Sequence, residues 1–335
     1  VTIGSPSMAV SLVETSNINA NCNSGAQVTV QASGGTPGYQ YAFMPTGNIP
    51  VPADYGPSNT ATLSPAVYPA DYDIYTQDSN GCTTFIMVTV DEDPLPTITA
   101  PAYATDQCTS NGTSYSFTVV GTGMAPLEYD AGSGFQSSPT LTVSAPGTYT
   151  VTVRDVNGCL ATDTITILDP LGLSAQATIQ PSCGVNDGEI VITASGGSGT
   201  YEYDLLDGTS TSVIGGVPQA SNTFSGLGPD SYTAIVYDTS GSGCSAQVPV
   251  TLEMPTPVVF STTHQDVTCN GAADGVIEII LDPSNDNPPY SYTIDDGINP
   301  PITQLSPVFT GLAPESYNVT VTSGRNCSDT QIVVI

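Results

Sequence analysis

Gly147-Thr-Tyr-Thr-Val-Thr-Val-Arg-Asp-Val-Asn-Gly-Cys159 is the stretch whose reading decides the fold. Pro146 leads into it, Tyr149 opens an alternation of residues between two faces, and Asp155-Val-Asn-Gly-Cys159 closes it. Alternation with period two is the pattern of a half-buried strand, and Asp-x-Asn-Gly is turn chemistry. Versions of the stretch recur at residues 70–82, 146–159, 229–244 and 314–327. Self-similarity at a fixed interval signals a tandem array, here of about 83 residues per unit.

Composition narrows what such an array can do. The 335 residues carry 31 acidic side chains against two arginines, Arg154 and Arg325, with no lysine, for a net charge of −29. Nucleic-acid binding needs clustered Lys and Arg to release counterions, so that partner is excluded. An anionic membrane surface is disfavoured on the same ground. No apolar run approaches the ~20 residues of a membrane span, so membrane insertion is not expected. Eight cysteines, two per repeat, with no C-x-x-C and a single histidine, point to disulfides and an oxidising compartment.

Junctions repeat a short alternating strand followed by an acidic or turn residue and a proline, at Pro6, Pro94, Pro170 and Pro255. The expected division is residues 1–3 as the last strand of a preceding repeat, then repeats at 4–93, 94–169, 170–254 and 255–335. The phase of the two ends fits a four-repeat window from a longer array. Each repeat reads as strands separated by Gly- and Pro-rich turns, with no 3.6-residue apolar stripe. The expected fold is all-β: a tandem array of four immunoglobulin-like, seven-stranded Greek-key β-sandwiches forming an elongated rod. Tyr72, Tyr149, Tyr232 and Tyr317 open the penultimate strand of each repeat. They fit the tyrosine corner, whose hydroxyl bonds upstream backbone and fixes a crossover between sheets. The pairs 39/41, 201/203 and 290/292 each share one strand face, as core aromatics or as a platform for stacking sugars.

Cys269-Asn-Gly-Ala-Ala-Asp-Gly275, Cys183-Gly-Val-Asn-Asp-Gly188, Gly34-Gly-Thr-Pro-Gly-Tyr-Gln-Tyr41 and the opening stretch together resemble SprB repeats. Those repeats occur in giant surface adhesins of gliding Bacteroidetes exported by type IX secretion. The resemblance runs through all four units and departs in two places. Repeat 2 has Gly121-Thr-Gly-Met-Ala-Pro126 in place of Gly-Gly-Thr-Pro, and repeat 4 has Thr322-Ser-Gly-Arg-Asn-Cys327 in place of Asp-x-Asn-Gly-Cys. It implies an extracellular, cell-surface location and an adhesive role, without implying motility itself. Asp163-Thr-Ile165 resembles the O-glycosylation motif of Bacteroidetes, which makes Thr164 a candidate sugar site.

Chemistry is sparse. His264 is the only histidine and reads as an exposed strand residue, so no catalytic site and no enzyme activity are expected. No cofactor is required. Calcium is the one small ligand with a place to go, at Asp91, Glu92, Asp93, Asp169 and Glu253, because hard cations need converging oxygens. The alternative is that such aspartates are turn formers bonding their own backbone. Two disulfide patterns are open. Pairing within repeats gives Cys22–Cys82, Cys108–Cys159, Cys183–Cys244 and Cys269–Cys327. Strand direction, however, places the two cysteines of one sandwich at opposite ends, ~20 Å or more apart, against a Cα limit near ~7 Å. Pairing across junctions is therefore preferred: Cys22–Cys159, Cys108–Cys244 and Cys183–Cys327, with Cys82 and Cys269 joined to flanking repeats.

The reading that follows is a structural and adhesive segment of a long extracellular repeat protein, rigidified by disulfides. Its partners are neighbouring repeats of the same chain, together with surface glycans or abiotic surfaces. The rivals are a carbohydrate-binding module array on a secreted enzyme and a self-assembling filament or sheath subunit.

Overall fold

The computed structural model describes residues 8–108, 113–239 and 241–335; residues 1–3, expected as a strand of a preceding repeat, lie outside them. The protein is all-β: among the described residues the only helical element is one 3₁₀ turn, Pro52–Asp54. Two compact units, 1–168 and 169–335, divide the chain.

In the first unit, six strands build the first block: β1 (Ser11–Ile18), β2 (Ala26–Ser33), β3 (Gln40–Pro45), β4 (Thr60–Leu63), β5 (Ala70–Gln77) and β6 (Thr83–Val90). They form two antiparallel sheets, β1-β2-β4 and β3-β5-β6. Alternation explains the packing. Ala26, Val28, Val30 and Ala32 are the odd positions of β2 and are buried, and Tyr72, Ile74, Val88 and Val90 of β5 and β6 join the same core. Each fully buried Val or Ile contributes about 1.5–3 kcal/mol. The chain crosses from one sheet to the other between β4 and β5, at the corner the tyrosines mark. The seven strands expected of a repeat are present in residues 255–335, where Ile302–Gln304 pairs with Tyr290–Asp295, whereas the first block has six and no counterpart of Ile302–Gln304. Residues 46–59 instead hold the 3₁₀ turn and one isolated bridge, Tyr41 to Gly56. Pro50, Pro52 and Pro57 remove the backbone donors that a ladder there would need.

A second cluster of the same unit gathers Tyr115, Phe117, Val151, Val153, Ile165 and Ile167. Its strands are shorter, three or four residues in Tyr115–Thr118, Val120–Thr122, Glu128–Asp130 and Thr140–Val143. The second unit likewise contains two clusters. One lies between the sheets Asp169–Ile179/Gly188–Gly197/Thr223–Leu227 and Tyr201–Leu206/Asp230–Asp238/Ser245–Leu252. The other gathers Phe260, Ile277, Tyr292, Phe309, Tyr317 and Val319.

Three of the four corner tyrosines bond the carbonyl four residues upstream: Tyr149 to Ala145 (2.9 Å), Tyr232 to Gly228 (2.9 Å) and Tyr317 to Ala313 (3.1 Å). Tyr72 departs from this expectation. It is buried in the core, but the upstream bond at that corner comes from Tyr68, whose hydroxyl donates to the Leu63 carbonyl (3.2 Å). A tyrosine four residues earlier reaches the turn first. Tyr232→Phe keeps the ring and loses one bond, so it should lower stability by about 1 kcal/mol. A shift of the denaturant midpoint at unchanged slope checks this.

Each remaining tyrosine pair has one buried and one half-buried member. Tyr41, Tyr203 and Tyr292 are buried, and the hydroxyls of Tyr39 and Tyr201 donate to the Gly34 and Gly196 carbonyls of the glycine turns.

Candidate functional site

The Asp-x-Asn-Gly-Cys hairpin does more than turn the chain. In the first block, Asp78 Oδ1 accepts the Asn80 and Cys82 N–H groups, while Oδ2 reaches across to the Thr36 N–H (2.9 Å) in the Gly-Gly-Thr-Pro turn. Asp238 Oδ2 does the same for the Ser198 N–H (2.8 Å), 40 residues upstream. The neighbouring glycine is required by this contact. At Gly35 (φ 59°) and Gly197 (φ 56°) an added Cβ would fall 2.6 and 2.5 Å from the carboxylate oxygen. Two motifs that look independent in sequence are thus one hydrogen-bonded unit. Where the glycine turn is replaced, at residues 121–126, the bond is lost: Asp155 is buried and its Oδ2 has no partner.

Bonds from backbone N–H groups favour the ionised carboxylate. The Thr36 N–H first, then those of Cys82 and Asn80, hold Asp78 below the usual carboxylate range. Ser182 does so for Asp187, with Arg325 a minor cause, and Thr268 for Asp274. A carboxyl whose folded pKa is depressed stabilises the fold above its unfolded value, ~3.9, and that stability disappears as pH falls through the folded value. Protonation elsewhere relieves the repulsion of 29 net negative charges, so the informative quantity is a difference. The stability gap between wild type and Asp78→Asn should be widest above about pH 4 and close below it. Urea melts of both proteins between pH 3 and 7 read it, and a gap independent of pH would contradict the assignment.

Each unit carries a junction between its two clusters. In the first, the β1–β2 loop presents Cys22, bonded to Cys159 of the hairpin at residues 155–159, with a Cα separation of 5.7 Å. Asn23 Nδ2 donates to the Asn157 carbonyl (2.7 Å), and Asn157 Nδ2 donates to Asp93 Oδ2 (2.8 Å). Asn19 Nδ2 takes the other oxygen of Asp93 (2.9 Å). Backbone bonds Ala20 N–H to Asp91 O and Asp93 N–H to Ala20 O pin the same loop to the end of β6. In the second unit, Cys183 is bonded to Cys327 with a Cα separation of 5.0 Å. The Cys183 N–H donates to the Arg325 carbonyl (2.8 Å), and Arg325 Nε donates to the Pro181 carbonyl (2.8 Å) and its Nη2 to the Glu253 carbonyl. The Glu253 N–H is taken by Gln180 Oε1.

These bonds exclude the within-repeat alternative in all four places, since Cys22, Cys159, Cys183 and Cys327 are already spent. The reason is strand direction: the first loop and the last hairpin of one sandwich lie at opposite ends. Cys108 and Cys244 are also disulfide-bonded, whereas Cys82 and Cys269 are free and exposed.

The acidic residues expected to offer oxygens to calcium make contacts of the same kind. Both oxygens of Asp93 face asparagine amides, Asp91 Oδ1 accepts the Glu92 N–H, and Glu253 offers its backbone rather than its carboxylate to Arg325. Asp169 starts the strand Asp169–Ile179, opposite Gly197. Among the described residues no three His, Cys, Asp or Glu side chains converge on a common point. Thr164 is exposed on the strand Leu160–Ile167, and its neighbour Asp163 is engaged by the Ala100 N–H. His264 is exposed on Phe260–Gln265, its Nε2 3.8 Å from Asp266. A surface groove of 680 Å³ in the second unit is lined by Asn186, Asp207, Phe224, Asp230 and Tyr232, with the Tyr232 hydroxyl committed to Gly228.

Asn23, Asn157 and Arg325 escaped the sequence reading. Arg325 could have been found from its rarity, as one of two cations among 31 acidic residues. The asparagines carry no such signal, because Asn-Gly is commonplace in turns.

A family model described as SprB repeat matches residues 175–210 and 261–299. No curated protein matches the sequence. Among solved structures, the three N-terminal domains of the bacteriophage RB49 outer capsid protein Hoc are similar at TM-score 0.43 and 11% identity, covering 75% of this chain and 100% of that one. Immunoglobulin domains 1–5 of Sidekick-1 give 0.33 and 14%, covering 97% and 76%. A tetra-tandem repeat from the extending region of a large adhesion protein gives 0.26 and 14%, covering 98% and 99%. Likenesses at this level say nothing of what the chain binds. Among the described residues no helix is long and apolar enough to cross a membrane.

Proposed function

We propose that this chain, in which residues 175–210 and 261–299 match the SprB repeat, serves as a structural and adhesive segment of a long extracellular repeat protein on a bacterial surface. Its repeats are bounded at 4–93, 94–169, 170–254 and 255–335, and it works by holding a contact surface away from the cell. The observation that carries this reading is the bonded junction in each unit, where a loop of one strand block is joined covalently to a hairpin of another and backed by Asn, Asp or Arg contacts. Such joints resist bending and stretching, which matters to a spacer and is irrelevant to a soluble binding module. In an array of this kind, stiffness is set by contacts between neighbours.

Pulling single chains by their ends tests it. The Cys22–Cys159 and Cys183–Cys327 bonds withhold sequence separations of 137 and 144 residues from extension. At ~3.6 Å per residue these are roughly 490 and 520 Å. Both lengths should be missing from the stretched chain under oxidising conditions and appear after reduction. Their full release without reductant would remove the mechanical basis of the reading.

A further inference from the structure

The two exposed thiols are opposite halves of the joint already seen. Cys82 closes the hairpin of residues 78–82, and that hairpin is hydrogen-bonded as the bonded hairpin of residues 155–159 is. Asp78 N–H to Cys82 O (3.0 Å) matches Asp155 N–H to Cys159 O (3.1 Å), and Gly81 N–H to Asp78 O matches Gly158 N–H to Asp155 O. In both, the Asp Oδ1 takes the N–H groups of the Asn and of the Cys. Cys269 belongs to the other half. Its loop is anchored as the bonded Cys183 loop is, with the residue before the cysteine donating its N–H to an aspartate: Thr268 to Asp274, Ser182 to Asp187. Both loops then enter a strand at a glycine opposite a leucine, Gly275 with Leu312 and Gly188 with Leu227. The flanking residues repeat the first joint as well. Asn270 follows Cys269 as Asn23 follows Cys22, and Asn80-Gly-Cys82 repeats Asn157-Gly-Cys159. Asn23 bonds the Asn157 carbonyl in that joint.

We propose that the Cys269 loop and the Cys82 hairpin each take the complementary half of a disulfide joint of the Cys22–Cys159 kind from a flanking repeat, and that two copies of this chain can supply those halves to each other head to tail, with Asn270 bonding the Asn80 carbonyl. The proposal rests on the repeat reading above. Neither half pairs with its own kind, because a joint needs one loop and one hairpin. Closure needs a small disulfide such as oxidised glutathione. The Cys269 thiolate attacks it and releases one glutathione thiol, and the Cys82 thiolate then attacks the mixed disulfide and releases the second. The two protein thiols lose two electrons and two protons, and the two glutathione thiols receive them.

Equal amounts of C82S and isotope-labelled C269S, incubated in a glutathione redox buffer, test the pairing. Each variant retains one half of the joint, and neither altered residue is bonded in the chain. The heterodimer should exceed either homodimer by roughly tenfold or more, against roughly twofold for random collision of exposed thiols. Peptide mapping should find Cys269 linked to Cys82, and the wild-type chain should form a ladder in steps of 34.3 kDa. A statistical mixture, or no dimer, overturns the proposal. The same digest reports Cys22–Cys159. If that bond is present while the heterodimer fails, only this inference falls; if it is absent, the mechanical reading falls too.

Discussion

Cys159→Ser should cost the first unit about 4–5 kcal/mol of stability, while Cys82→Ser, the nearest comparable hairpin cysteine, should cost less than about 0.5 kcal/mol. The sequence separation of 137 residues between Cys22 and Cys159 gives about 5 kcal/mol of loop-closure entropy if the whole unit unfolds. If only the block after residue 93 opens, the closed loop shrinks to roughly 66 residues and the contribution is still about 4 kcal/mol. The dependence on length is logarithmic, so the prediction is insensitive to which opening dominates. Hydrogen exchange along the full chain, with guanidinium unfolding, reads the loss and localises it. The contrast between the two serines carries the test, because pairing within repeats would make Cys82, bonded to Cys22, about as costly as Cys159, bonded to Cys108. Equal effects at Cys82 and Cys159 would refute the joint.

Phe117→Ala should be the most damaging single core change. Phe117 is fully buried on Tyr115–Thr118, opposite Leu141. Truncating a buried Phe costs about 3–5 kcal/mol through lost transfer energy and the cavity left behind. The block around it has about 70 residues, for which ~0.05–0.15 kcal/mol per residue gives a total stability of roughly 4–10 kcal/mol. Its short strands also leave little neighbouring structure to close over a hole. The substitution therefore consumes half or more of what holds the block together. Calorimetry should show a transition that separates to lower temperature, with exchange accelerated over residues 113–167 and unchanged over residues 11–90. A shift worth less than about 1 kcal/mol would mean that Phe117 is not packed as described.

The parts of the fold legible in the sequence are those carried by local chemistry. Period-two alternation in Ala26–Ser33 and Gly147–Arg154 identifies strands without any knowledge of their partners. Asp155 to Cys159 identifies a hairpin, because an aspartate bonding N–H groups two and four residues on needs nothing outside the turn. The tyrosine corner is legible for the same reason, since the bond spans four residues. Tyr72 shows where this stops: Tyr68 competes for the same corner, and only the packed turn selects between them. Strand number is less legible, because a strand needs a partner as well as a pattern: Ile302–Gln304 finds one in Tyr290–Asp295, whereas the prolines of residues 50–57 cannot supply ladder donors.

Asp78 and Cys22 mark the boundary between sequence and structure most clearly. By itself the sequence determined the repeat, the all-β class, the hairpins and a short set of cysteine pairings consistent with spacing. It also supplied the argument from strand direction that one loop and one hairpin of a sandwich cannot meet. Only the tertiary structure decided that Cys22 takes Cys159 and that Asp78 reaches Thr36, 42 residues away. The same structure decided that both oxygens of the Asp93 carboxylate face asparagine amides. Periodicity and turn chemistry are properties of a few consecutive residues and survive in isolation. A disulfide or a carboxylate contact between distant segments depends on where two sheets place their loops, and that is set by the packing of the whole core.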